Sequence, residues 1–112
     1  MKNLKVSYLL DFYGNLFGEK QGEILEMYFH DDMSLSEIAS LFDMSRQGVY
    51  DNIKRGEKEI LSLEKKLKLM DRFLEISEFL DVIDTKLEPD KILTQDTYSE
   101  IKELISKIKS II

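Results

Sequence analysis

Residues 34–55 read SLSEIASLFDMSRQGVYDNIKR, and this stretch decides the fold. Ser34 precedes Glu37 by three positions, which is the spacing of a capping box at the start of a helix. Ser45 is suited to cap a second helix that begins at Arg46. Two capped helices joined by the short turn DMS predict a helix-turn-helix.

The apolar positions of this stretch have the spacing that such a motif needs. Ala39 supplies a small side chain where the two helices cross closely, and Asp43 tolerates the left-handed backbone of the turn. Met44 is expected to fill the angle between the helices. Val49 and Ile53 are expected to pack back against the first helix, because they lie one turn apart on the second.

The residues between these anchors are expected to face outward and to contact nucleic acid. At the start of a recognition helix, Arg46 and Gln47 are suited to base edges, and later cations are suited to phosphates. Tyr50 is either a stacking platform for an unpaired RNA base or a half-buried packing residue. The predicted nucleic-acid-binding residues are Ser45, Arg46, Gln47, Tyr50, Lys54, Arg55 and Lys58.

The charge distribution supports this surface only locally. The chain has a net charge of -6, but residues 45–72 carry eight basic and five acidic side chains. The flanking segments 1–44 and 73–112 are both acidic. Nucleic-acid binders are usually basic overall, so two alternatives stay open. The basic residues could be a solvated face paired with Glu57, Glu59 and Glu64, or the acidic faces could dock a basic protein partner.

The rest of the chain predicts an all-α fold. Residues 3–17 are predicted to form a helix, because their apolar side chains recur at three and four positions: Leu4, Tyr8, Leu9, Phe12, Tyr13 and Leu16. Gly18 ends this helix or caps the next, and residues 19–30 form a second amphipathic helix. The absence of cysteine excludes disulfides and thiolate sites. No segment approaches the roughly 18 apolar residues of a membrane span, so a cytoplasmic location is expected.

A long stretch without a helix breaker runs from Arg46 to Pro89. Its apolar residues alternate at three and four positions, with a shift near residues 70–74 that favours two helices meeting near residue 70. Pro89 fits the first turn of a short helix, and Thr97 with Glu100 has capping-box spacing. The apolar seam either packs within the chain or forms a homodimer interface. The predicted interface residues are Ile60, Leu63, Leu67, Met70, Phe73, Leu74 and Leu80.

The sequence gives no support for catalysis, a cofactor or a metal site. It contains no recognisable nucleophile–base pair, phosphate-binding loop or carboxylate dyad. The run His30-Asp31-Asp32 is interpreted as a polar loop, because three adjacent side chains point in different directions.

The sequence resembles the YlxM family of small bacterial helix-turn-helix proteins over roughly residues 8–55. The markers are DFY, EKQ, YF before two acidic residues, SLSEIA, and SRQ followed by VYDNIKR. The resemblance implies a fold similar to region 4 of bacterial sigma factors, with a helix-turn-helix domain at residues 1–58 and a helical, dimerising extension at 59–112.

The same resemblance implies a regulatory or accessory role without enzyme activity. Members of the family are associated with the signal recognition particle pathway, since they are encoded beside that particle's protein subunit. The implied partners are DNA or the RNA of the particle, and the particle's protein subunit is the partner in the protein-docking alternative. The family usually has Ala at the position of Gly48, so a softer recognition helix is expected here.

Overall fold

The computed structural model describes residues 2–90 and 92–112, and within these ranges the chain forms six α-helices and no strand. The predicted all-α fold is confirmed. The helices are α1 (Leu4–Tyr13), α2 (Glu19–Phe29), α3 (Leu35–Phe42), α4 (Arg46–Leu67), α5 (Leu69–Lys86) and α6 (Gln95–Ile111), with a short 3₁₀ helix (Gly14–Leu16) between α1 and α2.

The chain divides into two compact units between Lys68 and Leu69. We call them the N-terminal unit, up to Lys68, and the C-terminal unit, from Leu69. Lys68 adopts a left-handed conformation with φ of 56°, which ends α4 and separates it from α5. The long apolar stretch is therefore two helices, and the predicted domain boundary between residues 58 and 59 falls inside α4.

The N-terminal unit is built around α4, which contacts α1, α2 and α3. Its first half packs with α3 as the helix-turn-helix, and its buried side chains continue to the second half. The buried apolar side chains of the described residues all lie in this unit. They are Val6, Leu9, Leu10, Tyr13, Ile24, Leu25, Phe29, Ile38, Ala39, Val49, Ile53 and Ile60.

The buried face of α1 matches only part of the predicted one. Of the predicted residues, Leu9 and Tyr13 are fully buried, whereas Leu4, Tyr8 and Leu16 are exposed, and the buried face is completed by Val6 and Leu10. Seven of the ten residues of this helix are apolar, so two neighbouring stripes both have helical spacing. Packing against α2 and α4 selects the second stripe, and the sequence alone does not distinguish them.

Gly56 allows α4 to approach α2 closely. A Cβ atom at this position would lie 2.7 and 2.8 Å from the two Cδ atoms of Leu25, which is fully buried. Contacts this short do not occur in packed interiors, so a side chain here would push the two helices apart. The glycine is required by the crossing of the helices.

A buried hydrogen bond joins α1 to the end of α4. The Tyr13 hydroxyl lies 2.7 Å from Oε1 of Glu64, to which it donates, and Glu64 is only 6% exposed. The sequence interpretation of Glu64 as a solvated partner for lysines is wrong, because the last turns of α4 turn this carboxylate toward α1. A buried carboxylate without such a donor would be costly.

The C-terminal unit is a pair of helices. Lys86 of α5 forms an ion pair with Glu100 of α6, and Lys107 lies over the ring of Phe79, so the two helices run antiparallel. Neither helix has a buried residue among those described. The pair therefore leaves its apolar side chains at least partly exposed.

The ends of α5 and α6 correct two predictions. Pro89 lies in a turn after α5 and not in a short helix of its own. The cap of α6 is Thr94, whose Oγ1 accepts a hydrogen bond from the Thr97 backbone N–H at 3.1 Å. Thr97 therefore lies inside the first turn of α6. Thr94, three residues earlier, has the extended backbone that a cap requires.

Candidate nucleic-acid interface

The first helix of the motif, α3, begins with a complete capping box. Ser34 Oγ accepts from the Glu37 backbone N–H, and Glu37 Oε1 accepts from the Ser34 N–H, both at 3.1 Å. The hydrogen bond from the Ser34 backbone lowers the pKa of Glu37. The two bonds fix the direction in which α3 starts.

The turn sets the angle between α3 and α4. Asp43 adopts the expected left-handed conformation, with φ of 52°, and the Met44 N–H bonds back to the Ala39 carbonyl at 3.0 Å. Ala39 and Val49 are both buried where the helices meet. The predicted anchors of the helix-turn-helix therefore lie where the motif requires them.

Gly48 belongs to the first turn of α4, and its placement changes the expectation of a softened helix. Ser45 Oγ accepts from the Gly48 backbone N–H at 2.9 Å, so Gly48 is the third residue of the helix. This N–H has no partner within the helix, and the serine cap satisfies it. The glycine is not in the helix interior, where its conformational cost would be largest.

The predicted contact residues share the outward face of α4. Ser45 at the cap and Arg46, Gln47, Tyr50, Lys54, Arg55 and Lys58 along the helix are all exposed. From residue 46 to residue 58 the face extends over about 18 Å, or roughly three turns. Tyr50 is 43% exposed, because it lies at the edge between this face and the buried residues.

Two side chains of this face have partners on the same helix. Gln47 Nε2 donates to Asp51 Oδ1 at 3.0 Å, and Lys54 Nζ lies 3.4 Å from Glu57 Oε2. In the part of the chain that the structure describes, Arg46, Arg55 and Lys58 form no salt bridge. Three cations are therefore available to an anionic ligand without breaking an ion pair.

The seven predicted dimer residues fall into different environments. Ile60 is fully buried inside the N-terminal unit, so its assignment to a dimer interface is corrected. No surface of this side chain is left for a second chain. Leu63 and Met70 are half-buried, and the exposed remainder consists of Leu67, Phe73, Leu74 and Leu80.

His30 connects the end of α2 to α1. Its Nδ1 lies 2.7 Å from Glu26 Oε2, and its Nε2 lies 2.8 Å from the Ser7 carbonyl oxygen. The Ser7 carbonyl and the carboxylates of Glu26 and Asp11 raise the pKa of His30, against the effect of partial burial. Both ring nitrogens thus have protein partners, and the described residues contain no cluster of three potential metal ligands.

An acidic groove lies on the N-terminal unit, between the 3₁₀ helix and α2. It has a volume of about 550 Å³ and is lined by Glu19, Glu23, Glu26 and Asp31 together with Phe17 and Met27. The sequence analysis predicted the helix that carries Glu19 and Glu23 but did not predict this groove. Their spacing of four residues on α2 was the available signal.

None of the described helices is both long enough and apolar enough to cross a membrane.

Two capped helices joined by a tight turn, with a polar and basic outer face on the second, define a helix-turn-helix protein. The family model described as "Putative helix-turn-helix protein, YlxM / p13 like" matches residues 1–104, and the chain belongs to that family. The predicted resemblance is confirmed, and the match extends well beyond residues 8–55 into α6.

Individual relatives match along almost their whole length. The chain is 43% identical to the UPF0122 protein BH2485 of Halalkalibacterium halodurans over 98% of this chain and 96% of the relative. It is 45% identical to the UPF0122 protein Teth514_1714 of a Thermoanaerobacter species over 94% of this chain and 88% of the relative. With the UPF0122 protein OB1530 of Oceanobacillus iheyensis it shares 40% identity, over 98% and 96%.

Proposed function

We propose that the protein is a non-catalytic, regulatory nucleic-acid-binding factor that acts in the cytoplasm and contacts DNA or RNA through the outward face of α4. The observation that carries this proposal is the set of exposed cations on a capped helix in a helix-turn-helix. Arg46, Arg55 and Lys58 have no competing salt bridge among the described residues.

Each part of the face has a distinct task. Arg46 and Gln47 lie in the first turn, which in this motif meets base edges. Arg55 and Lys58 lie two to three turns later and neutralise phosphates. Lys54 also contacts a phosphate, once its ion pair with Glu57 is broken. The higher charge density of the nucleic acid favours this change of partner.

A homodimer would present two such faces. Leu67, Leu74 and Leu80 are exposed on helices whose apolar spacing is typical of helix–helix packing. The C-terminal pair buries none of its described residues alone, so a second copy supplies the missing surface. We expect Leu80→Glu to convert the dimer to a monomer by light scattering at micromolar concentration. Leu41→Glu, at an exposed leucine of α3, is the matched control, and a wild-type monomer mass would contradict the dimer.

The RNA of the signal recognition particle is the first ligand to test, because the family resemblance implies an accessory role in that pathway. Binding is measured by fluorescence anisotropy against this RNA and against duplex DNA at several salt concentrations. We expect Arg46→Ala with Lys54→Ala to weaken binding at every salt concentration and to reduce the salt slope by about one, because Lys54 loses a phosphate contact and Arg46 a base contact.

The control for this double variant removes two cations elsewhere. Lys5 and Lys20 are exposed on α1 and α2, outside the outward face of α4. Lys5→Ala with Lys20→Ala changes the net charge equally, so it separates local contact from overall charge. Equal salt slopes for both double variants and the wild type would remove the proposal.

A second candidate function is docking of a basic protein partner in the acidic groove. The groove combines four carboxylates with the apolar side chains of Phe17 and Met27, which suits a basic amphipathic segment. The candidate partner is the protein subunit of the signal recognition particle. Glu19→Gln with Glu23→Gln is expected to weaken its binding in calorimetry, whereas Glu75→Gln with Glu78→Gln on α5 is not. Unchanged binding of the groove variant would exclude this function.

A further inference from the structure

A half-enclosed cavity of about 180 Å³ lies in the N-terminal unit beside the outward face of α4. Phe29 and Ile53, both buried, and the half-buried Leu35 form its apolar lining. Two aromatic residues, Tyr28 of α2 and Tyr50 of α4, complete the apolar part. The volume corresponds to roughly six water molecules. This is the size class of a single nucleobase.

Two cations lie over the tyrosines of this cavity. Lys2 Nζ is 4.2 Å from the centre of the Tyr28 ring, and Lys54 Nζ is 5.6 Å from the centre of the Tyr50 ring. Lys2 is held in place by Asp32 at 3.0 Å and by the Met33 carbonyl at 3.1 Å. A cavity with two aromatic rings, an apolar floor and cations at its walls combines a surface for a base with charges for its phosphate.

We propose that this cavity receives one unpaired nucleotide of the nucleic acid that α4 binds. The base enters between the tyrosines, and the lysines approach the adjoining phosphates. The inference rests on the proposed function, because Tyr50 and Lys54 belong both to the outward face of α4 and to the cavity. It adds the class of ligand: a bulge, a loop or a single strand, and not a continuous duplex.

The concave shape of the cavity accounts for the preference for an unpaired base. Bases within a duplex are stacked and show only their edges in the grooves, so they cannot enter a recess lined by side chains. An extruded base presents both its faces and its pairing edge. The cavity is therefore accessible to nucleotides that have left the stack.

Glu57 gives the cavity a base preference. Glu57 lines the cavity, and its carboxylate lies 3.4 Å from Lys54 Nζ. A carboxylate only accepts hydrogen bonds, so it favours the exocyclic amino groups of cytosine, adenine or guanine. Uracil and thymine lack such a group, and their one pairing-edge donor, N3–H, stands between two carbonyl oxygens that the carboxylate repels. We expect uracil to be the weakest occupant.

The test uses the full chain and a set of RNA hairpins that differ only at one bulged nucleotide, which is A, C, G or U. A fully paired hairpin and the same set made as DNA complete the series. Affinities are measured by fluorescence anisotropy. We expect a bulged A, C or G to bind about tenfold more tightly than the paired hairpin, the effect of one stacked base. The DNA series distinguishes a single-stranded DNA ligand from RNA.

Two variants locate the effect in the cavity. Tyr28→Leu removes one ring and keeps an apolar side chain, so it should abolish the bulge preference while binding to the paired hairpin persists. Glu57→Gln should keep the bulge preference but reduce the discrimination against uracil, because an amide also donates. Melting curves check the folding of both variants. If Tyr28→Leu does not fold, the discrimination against uracil in Glu57→Gln tests the role of the cavity by itself.

The outcomes separate this inference from the proposed function. If the wild-type protein binds bulged and paired hairpins equally, the proposed role of the cavity is wrong, and the proposed function of α4 is unaffected. A bulge preference that survives in Tyr28→Leu, or a discrimination against uracil that is unchanged in Glu57→Gln, also overturns the proposed role of the cavity. Absence of binding to every hairpin and duplex overturns both proposals.

Discussion

The two units of the chain use the same kind of apolar pattern and reach different structures. In the N-terminal unit, α4 contacts three other helices and buries Val49, Ile53 and Ile60. In the C-terminal unit, α5 contacts α6 and has no buried residue among those described, although its apolar residues recur at the same three- and four-residue spacing. Periodicity thus predicts a helix and its apolar face, but it does not identify what covers that face.

The difference has a thermodynamic consequence. Most of the stability of a helix in a protein comes from packing of its apolar face and little from propensity. Two helices side by side bury only one edge of each apolar face, and further helices are needed to close a core. We therefore expect the stability of this chain to reside in the N-terminal unit.

The strongest test of this contrast is to separate the units. We expect residues 1–68 to unfold cooperatively, because they contain all the buried apolar side chains of the described chain. We expect residues 69–112 to show low helicity as a monomer and to unfold cooperatively only where they self-associate. Circular dichroism melts measure both. A transition of the second fragment that moves up with peptide concentration would indicate self-association. A sharp, concentration-independent one would contradict the comparison.

A smaller effect tests the packing around α4 itself. Gly56→Ala places a methyl group 2.7 Å from Leu25, so we expect a loss of about 2–3 kcal/mol in the free energy of unfolding. Gly22→Ala in α2 is the matched control, since its nearest contact would be an ordinary 3.8 Å. That change should stabilise by roughly 0.5–1 kcal/mol through helix propensity. Denaturant titrations that give both changes the same sign would disprove the close approach.

Gly56 also shows where sequence reasoning ends. The helix-turn-helix could be predicted because each of its features depends on a few neighbouring residues. These features are the capping box of Ser34 and Glu37, the left-handed turn residue Asp43 and the helix cap Ser45. A close helix crossing depends on a residue 31 positions away, Leu25, and no local pattern encodes it.

The same limit applies to the candidate sites. The outward face of α4 can be predicted from helical spacing, and the residues of this face are exposed in the structure. The cavity beside it brings together α2, α3, α4 and residues near the N-terminus, and the acidic groove combines the 3₁₀ helix with α2. Sites assembled from several elements require the packing to be known first.

The Tyr13–Glu64 hydrogen bond tests whether the end of α4 belongs to the core of the N-terminal unit. We expect Tyr13→Phe to lower the free energy of unfolding by about 1–2 kcal/mol, because the buried carboxylate of Glu64 loses this donor. Tyr8→Phe is the control on the same helix, where the tyrosine is exposed and a change near zero is expected. Equal effects of the two substitutions would mean that the bond is not formed in solution.

A pH-dependent effect is expected from His30, at the junction of α1 and α2. Its pKa is raised in the folded protein, first by the Ser7 carbonyl and then by the carboxylates of Glu26 and Asp11. A raised pKa stabilises the folded state below the ordinary histidine value, and this stabilisation is lost as the pH rises through the folded value. His30→Gln should therefore lower the melting temperature more at about pH 5.5 than at about pH 8.5. A difference that does not vary with pH would show that the charged form is not stabilised.

The smallest effect is expected at Gly48, eight positions before Gly56 on the same helix. A Cβ there would lie 3.0 Å from Ser45 Oγ and 3.6 Å from Met44 Cε, so its contacts are local and do not involve another helix of the core. The gain in helix propensity and the strain on the serine cap act in opposite directions, and the first turn gains less than the interior. We expect Gly48→Ala to change the free energy of unfolding by less than about 0.5 kcal/mol, measured by denaturant titration. A gain near 1 kcal/mol would show that the cap adjusts freely.

The same Gly48→Ala variant also tests the affinity for nucleic acid. A rise in affinity at unchanged stability would show that α4 binds its ligand through this turn, and unchanged affinity would place the contacts further along the helix.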